Sequence, residues 1–336
     1  MEKLGWRSFF AQQLHADDMA LTPPVRIVEV HRSGLHVLGD GIDLVVPPGP
    51  DATVGDWLLL DQSQPECSHV LNRTSLFKRR APGDGCAFQL IAANVDTAFI
   101  VSSCNQDFNV ARLERYLALA FDAGVTPVII LTKSDLCDDP QSYVDAARAV
   151  SEKVSVVLLN ALSAEPEEKL SPWCMAGQTV AFIGSSGVGK SSLVNALFGN
   201  QNVDTGAIRE TDAKGRHTTT NRQLYFLADG CGVLDTPGMR EIQLMDVQDG
   251  IAGVFEDIYS LAGQCRFNDC KHETEPGCAI NAALKSGDID PERIERWAKL
   301  VAEERDNLAS FNAKNFGDKE TRKTIRTNKK KNKNKK

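Results

Sequence analysis

The 336-residue sequence predicts a multidomain α/β chain: an N-terminal OB-like β-barrel, a circularly permuted P-loop domain, and a C-terminal helical domain around a Cys/His cluster. Three observations predict this. Short β-branched runs crowd residues 25–77, strands alternate with helices over residues 96–235, and a Gly-rich phosphate loop lies inside that alternation with a base-reading tetrapeptide ahead of it instead of behind it.

In chain order, residues 1–21 carry no strong pattern and are expected to form a flexible leader. Residues 22–84 hold "VRIVEV", "GLHVL", "IDLVVP", "GDWLLLD" and "HVLNRTSLF", short strands punctuated by Gly and Pro, which suit an OB-like barrel. From "KRRAPGDG" onward, residues 85–245 read as a parallel α/β domain. Its strands are "DTAFIVSS", "TPVIILT", "VSVVLLN", "QTVAFIG", "QLYFLA" and "CGVLD", and its helices include the amphipathic "VARLERYLALAFDAG" and "KSSLVNALFG". Residues 246–316 are helical apart from the Cys/His cluster, with a last helix opened by Pro291, and residues 317–336 form a disordered basic tail.

Composition narrows the setting. No stretch approaches the ~20 apolar residues of a membrane span, and "MEKLGWRSFFAQQL" lacks the apolar core of a signal peptide, so a cytoplasmic protein with no membrane partner is expected. Of nine cysteines, six are scattered without framework spacing. Net charge is −7, yet residues 319–336 hold ten Lys/Arg against one Glu, a local +9 that leaves −16 on the rest. A basic tail on an acidic body attracts phosphate-rich partners such as RNA.

The loop Gly184-Ser185-Ser186-Gly187-Val188-Gly189-Lys190-Ser191, followed by Ser192, fits G-x-x-x-x-G-K-[ST] between a buried strand and a helix. Its glycines allow backbone amides to turn inward on the phosphates, Lys190 reaches the β/γ oxygens, and the Ser191 hydroxyl is a Mg²⁺ ligand. Asp235 of "DTPG" ends an apolar strand and can hold Mg²⁺ through water, with the Gly238 amide on the γ-phosphate. In "GRHTTT" one of Thr218, Thr219 or Thr220 is the switch ligand to Mg²⁺; spacing does not choose among them. In Thr132-Lys133-Ser134-Asp135 the Asp135 carboxylate accepts from guanine N1–H and N2–H₂, a donor pair adenine lacks, while the Lys133 stem covers the base. With Asn160-Ala161 as the second base loop, the elements run base reader, second base loop, phosphate loop, threonine switch, DTPG: the usual GTPase set, rotated.

The cluster Cys265-x4-Cys270-x-His272-x5-Cys278 offers three thiols and an imidazole, which suit one tetrahedral, structural Zn²⁺ per subunit. A disulfide there would strand one cysteine in a reducing compartment.

Together the rotated order, "AANVDTAFIVSS", "RLERYLALA", "GSSGVGKSSLVNAL", "GRHTTT", "DTPG" and the Cys/His cluster resemble the ribosome small subunit-dependent GTPase A (RsgA, or YjeQ) family over residues 25–310. The resemblance implies a Mg²⁺-dependent GTPase that turns GTP into GDP and phosphate. It further implies a monomer that acts in late maturation of the 30S ribosomal subunit, contacts 16S rRNA, and is accelerated by that subunit. Two positions depart, Thr132 where many relatives have Asn and Asn160 where Ser is usual. Without the amide, Thr132 is expected to leave the base loop untied from the phosphate loop and to weaken nucleotide binding. The residue after the DTPG glycine is Met239, which cannot orient water, so hydrolysis by the chain alone should be slow. His217 is the internal candidate for that role; the partner is the other source. The rival function is a non-enzymatic, guanine-nucleotide-sensing RNA-binding regulator.

Overall fold

The computed structural model describes residues 1–15, 18–31, 33–49, 51–81, 88–199, 222–235 and 247–310. Two compact units emerge, Met1–Lys78 with Leu90–Ile242, and Arg79–Gln89 with Gln243–Lys336. Among the described residues no helix is long and apolar enough to cross a membrane.

In the first unit, β1 (Pro24–Val30), β2 (Leu35–Gly39), β3 (Ile42–Val46), β4 (Trp57–Leu59) and β5 (His69–Val70) pair antiparallel in the order β3-β2-β1-β4-β5. Alternate side chains meet inside: Val25, Ile27, Leu35, Val37, Val46, Leu58 and Leu60 form one buried cluster. The single strand expected over 69–77 is broken, because side chains claim its backbone. Asn72 N–H donates to Gln13 Oε1 at 2.6 Å and Thr74 N–H to Asn94 Oδ1 at 2.9 Å, while Arg73 leaves the ladder for buried Asp56 at 2.7 Å. Pairing resumes in β6 (Leu76–Arg80), which forms a two-stranded ribbon with β7 (Phe88–Ala93).

The nucleotide-type sheet is β8 (Thr97–Ser103), β9 (Thr126–Thr132), β10 (Ser155–Leu158), β11 (Thr179–Ile183), β12 (Arg222–Phe226) and β13 (Gly232–Asp235), in the order β10-β9-β8-β11-β13-β12. All neighbours are parallel except the β12–β13 pair. Its helices are α3 (Val110–Asp122), α4 (Pro140–Arg148), α5 (Glu165–Leu170) and α6 (Lys190–Phe198), which follow α1 (Ser8–Ala11) and α2 (Asp18–Leu21). The buried strands are near-continuous apolar runs, as a sheet covered on both faces requires.

The N-terminal strands and the P-loop sheet are continuous. β1 pairs β4 through Pro24–Arg26 and, beyond a bulge between Ile27 and Glu29, pairs β12 through Glu29↔Gln223 and Val30↔Arg222. Sequence pattern alone could not reveal that one strand serves two partners in succession.

The flexible leader expected over 1–21 is corrected over its first fourteen residues. Phe10, Trp57, Leu59 and Leu71 form a buried cluster with Met1, Leu4, Trp6 and Leu14 against it, and the rings of Trp6 and Trp57 lie 4.8 Å apart edge to face. Arg7 forks onto both Asp96 oxygens at 2.6 Å. Arg26, fully enclosed, donates to Leu4 O at 2.5 Å and Thr179 Oγ1 at 2.8 Å, and although burial pushes it down to about 10 it remains charged at neutral pH. Scattered aromatics with no periodicity give no sequence signal of such docking.

The second unit contains α7 (Gln248–Val254), α8 (Glu256–Ala262), α9 (Ala279–Ser286) and α10, residues 291–310. Arg293 ties α10 to α8 through both Asp257 oxygens at 2.7 and 2.9 Å, and lies over the Phe255 ring at 4.9 Å. The tail, 317–336, lies outside the described residues.

Candidate guanine-nucleotide site and Cys/His cluster

Strand register gathers the scattered motifs on one edge. Ser103 pairs with Thr132, Leu131 with Leu158, Ile100 with Ile183 and Ala181 with Leu234, so β9, β10, β11 and β13 all present their carboxyl ends together. That edge is where open parallel sheets bind ligands. Thr132 ends β9, Asn160 follows β10, Gly184 follows β11 and Asp235 ends β13. The displaced Thr132–Asp135 stretch thus lies beside the Gly184–Ser191 loop.

Gly184 has φ +150° and an added Cβ would strike the Val101 carbonyl; Gly189 has φ +99° and faces Thr132. Only glycine fits both, which explains the pattern at these two positions. Val188 is buried between them, whereas Lys190, Ser191 and Ser192 open α6 and remain partly exposed. Lys190 Nζ donates to Gly184 O at 2.7 Å and to Ser185 O. The ammonium thus folds back onto the carbonyls of its own loop.

The expectation that Thr132 leaves the base loop untied is overturned. Its hydroxyl lies 2.6 Å from Val188 O in the phosphate loop and 3.2 Å from Ser102 O, in a fully buried position. A hydroxyl suffices because β9 and the loop approach closely here, the Thr132 side chain lying 3.5 Å from where a Gly189 Cβ would be. Behind it, burial and then Cys137 push the Cys104 thiol up to about 11, so this cysteine is a neutral, inert core group. Lys133 takes the left-handed conformation, φ 58°, and turns the chain into the short Ser134–Leu136 helix, leaving Asp135 exposed. Asn160 shapes its own loop: its Oδ1 accepts from Leu162 N–H at 2.9 Å and its carbonyl from the Ser163 hydroxyl at 2.9 Å, with Ala161 buried. His217, Thr218, Thr219, Thr220, Gly238 and Met239 lie outside the described residues.

One residue near the site has no role assigned to it from the sequence. Arg112, on the first turn of α3, donates to Ser185 Oγ at 2.5 Å. The "RLERYLALA" segment does not itself signal a contact with Ser185, because that contact exists only once β8 is known to neighbour β11.

In the second unit the ligand atoms of Cys265, Cys270, His272 and Cys278 all lie within 4.8 Å of one another. Cys265 Sγ and Cys278 Sγ are 4.0 Å apart and each is 3.6 Å from His272 Nδ1. Tetrahedral Zn²⁺ would require about 3.8 Å between sulfurs and about 3.6 Å from sulfur to nitrogen. The donor set therefore fits zinc. Burial works against ionisation at Cys265, yet the Ala279 and Ile280 amides and its neighbours bring that thiol below its usual value, while burial holds Cys270 up at about 11. Cys278 also caps α9, its sulfur accepting from Asn281 N–H at 3.4 Å.

A permuted parallel sheet with the Gly184–Ser191 loop and the Thr132–Asp135 turn on one edge has the architecture of a circularly permuted P-loop GTPase. The family model for the RsgA GTPase matches residues 70–245. The chain is 49% identical over 314 residues to small ribosomal subunit biogenesis GTPase RsgA 2 of Vibrio parahaemolyticus, covering 93% of this chain and 87% of that one. It is 52% identical over 313 residues to its counterpart, RsgA, in Mesorhizobium japonicum, covering 90% of each. The chain belongs to the RsgA GTPase family, and it is a GTPase. Its fold matches YjeQ from Thermotoga maritima, with a TM-score of 0.62 at 24% identity over 83% of this chain and 97% of that one. It also matches YloQ, a circularly permuted GTPase, with a TM-score of 0.59 at 24% identity, covering 88% and 98%. An ABC transporter model matches residues 168–327 as well; that stretch includes the phosphate loop common to P-loop NTPases but not the base reader at 132–135.

Proposed function

We propose that the protein binds GTP at the β9–β11–β13 edge, hydrolyses it slowly alone, and does so faster on the small ribosomal subunit, whose late maturation it serves in the cytoplasm. The observation that carries the nucleotide reading is the Thr132–Val188 hydrogen bond, which joins base reader and phosphate loop into one site. The ribosomal reading is supported by relatives named as small ribosomal subunit biogenesis GTPases.

In this reading Asp135 accepts from the guanine edge, Lys133 covers the base, Asn160 and Ala161 close its far side, and Lys190 moves from loop carbonyls to the β/γ oxygens. Ser191 and Asp235, a hydroxyl and a carboxylate, are the hard oxygen donors that would hold Mg²⁺, which when bound neutralises charge on the phosphates. Thr219 or a neighbouring threonine completes that set, the Gly238 amide meets the γ-phosphate, and His217 orients the attacking water. With Met239 in the position after the DTPG glycine, alignment of water is the step the chain performs poorly. A partner that aligns the water or supplies the missing group therefore accelerates hydrolysis. The N-terminal strands close as an OB-like barrel that, with the zinc-bound loop and basic tail, contacts 16S rRNA, the protein acting as a monomer.

Multiple-turnover GTPase assays with and without purified 30S subunits test this. At least a tenfold rise in kcat is expected; an unchanged rate would overturn the ribosomal reading.

A further inference from the structure

The phosphate loop is braced from outside by a built side chain. Arg112 is the third residue of α3, and its own amide is fixed by the Asn109 cap at 2.9 Å. Its Nη1 donates to Ser185 Oγ at 2.5 Å and to Asp107 Oδ1 and Oδ2 at 3.0 and 3.1 Å. Asp107 is placed in turn by Asn105, whose Oδ1 accepts from Asp107 N–H at 3.0 Å and from the Ser103 hydroxyl at 2.9 Å. Ser103 is the β8 residue in register with Thr132. A chain of turns running from the base-reading strand therefore aims Arg112 at the phosphate loop.

Ser185 is gripped on two sides. Arg112 holds its hydroxyl while Lys190 holds its carbonyl. When Lys190 turns to phosphate oxygens it relinquishes that carbonyl, and the Arg112 contact is the one that stays.

We propose that Arg112 is a positioning residue for nucleotide binding: by holding Ser185 through its hydroxyl, it keeps the first turn of the phosphate loop in its anion-cradling shape while Lys190 is engaged by phosphate. The proposal rests on Gly184–Ser191 being the phosphate site. Because the Arg112 side chain is 36% exposed, its effect belongs at the modest end for a charge-assisted hydrogen bond, roughly three- to tenfold in affinity.

Equilibrium binding of a fluorescent GDP analogue and of a non-hydrolysable GTP analogue to the full chain tests it. Arg112→Gln and Ser185→Ala should each weaken both ligands about three- to tenfold, and the double variant should be no weaker than the worse single, since both remove one contact. Arg112→Lys should recover at least half of the loss, a rescue that general destabilisation would not show. Wild-type affinity in Arg112→Gln, or losses that multiply in the double variant, would overturn the proposal and leave the site reading intact. Absence of guanine-nucleotide binding by the wild type would overturn both. Should Arg112→Gln fail to fold, Ser185→Ala alone decides, with wild-type affinity contradicting the brace.

Discussion

Thr132 shows how one side-chain contact can satisfy the requirement of a motif whose usual residue is absent. The base loop needs a donor to the phosphate loop, and a hydroxyl 2.6 Å from Val188 O supplies it in a site sealed from water. Thr132→Val keeps the shape, removes the donor and leaves that buried carbonyl short of a partner, a change worth about 1 kcal/mol or more. We expect GDP affinity to fall at least fivefold and the urea midpoint to drop, measured by equilibrium binding and denaturation; an unchanged dissociation constant would contradict the tie. The loop glycines Gly184 and Gly189 were legible in sequence because their backbone geometry admits no other residue. The Thr132 tie and the Arg112 contact were not, since both depend on how close neighbouring strands bring two segments distant in sequence.

At the scale of elements, the strands and helices of the P-loop sheet follow their hydrophobic periodicity closely, and α3 has the Asn109 cap and buried Leu113 and Leu117 face that its pattern implies. Two elements were not legible. The 1–14 segment docks through isolated aromatics, and the strand expected over 69–77 yields to Asn94, Gln13 and Asp56, side chains that compete for its backbone and for Arg73. The Cys265–Cys278 loop is the opposite case, read directly from spacing, and most of it is exposed, with little apolar burial of its own. Its order should depend on metal. Chelation should release one zinc per chain, measured by elemental analysis, and strip hydrogen-exchange protection from residues 265–286. GDP affinity should change less than twofold, because the nucleotide residues belong to the other unit. Protection that survives metal removal would contradict a structural zinc.

For the whole molecule, the rotated motif order has a simple physical basis. Side-by-side parallel pairing of β10, β9, β8, β11 and β13 depends on which strands are neighbours and not on the order in which the chain visits them. The carboxyl edge is rebuilt intact, and the N-terminal antiparallel strands join the sheet through the two halves of β1. The central claim is that the displaced "TKSD" and the loop "GSSGVGKS" form one guanine site. Its most direct test is competition for a bound fluorescent GDP analogue by GTP and ATP, in the wild type and in Asp135→Ala. The account predicts displacement by GTP, none by a hundredfold excess of ATP, and a loss of GTP affinity of about 100-fold or more in the variant, as expected when the acceptor for a donor pair is removed. Equal displacement by ATP, or wild-type GTP affinity in Asp135→Ala, would contradict it.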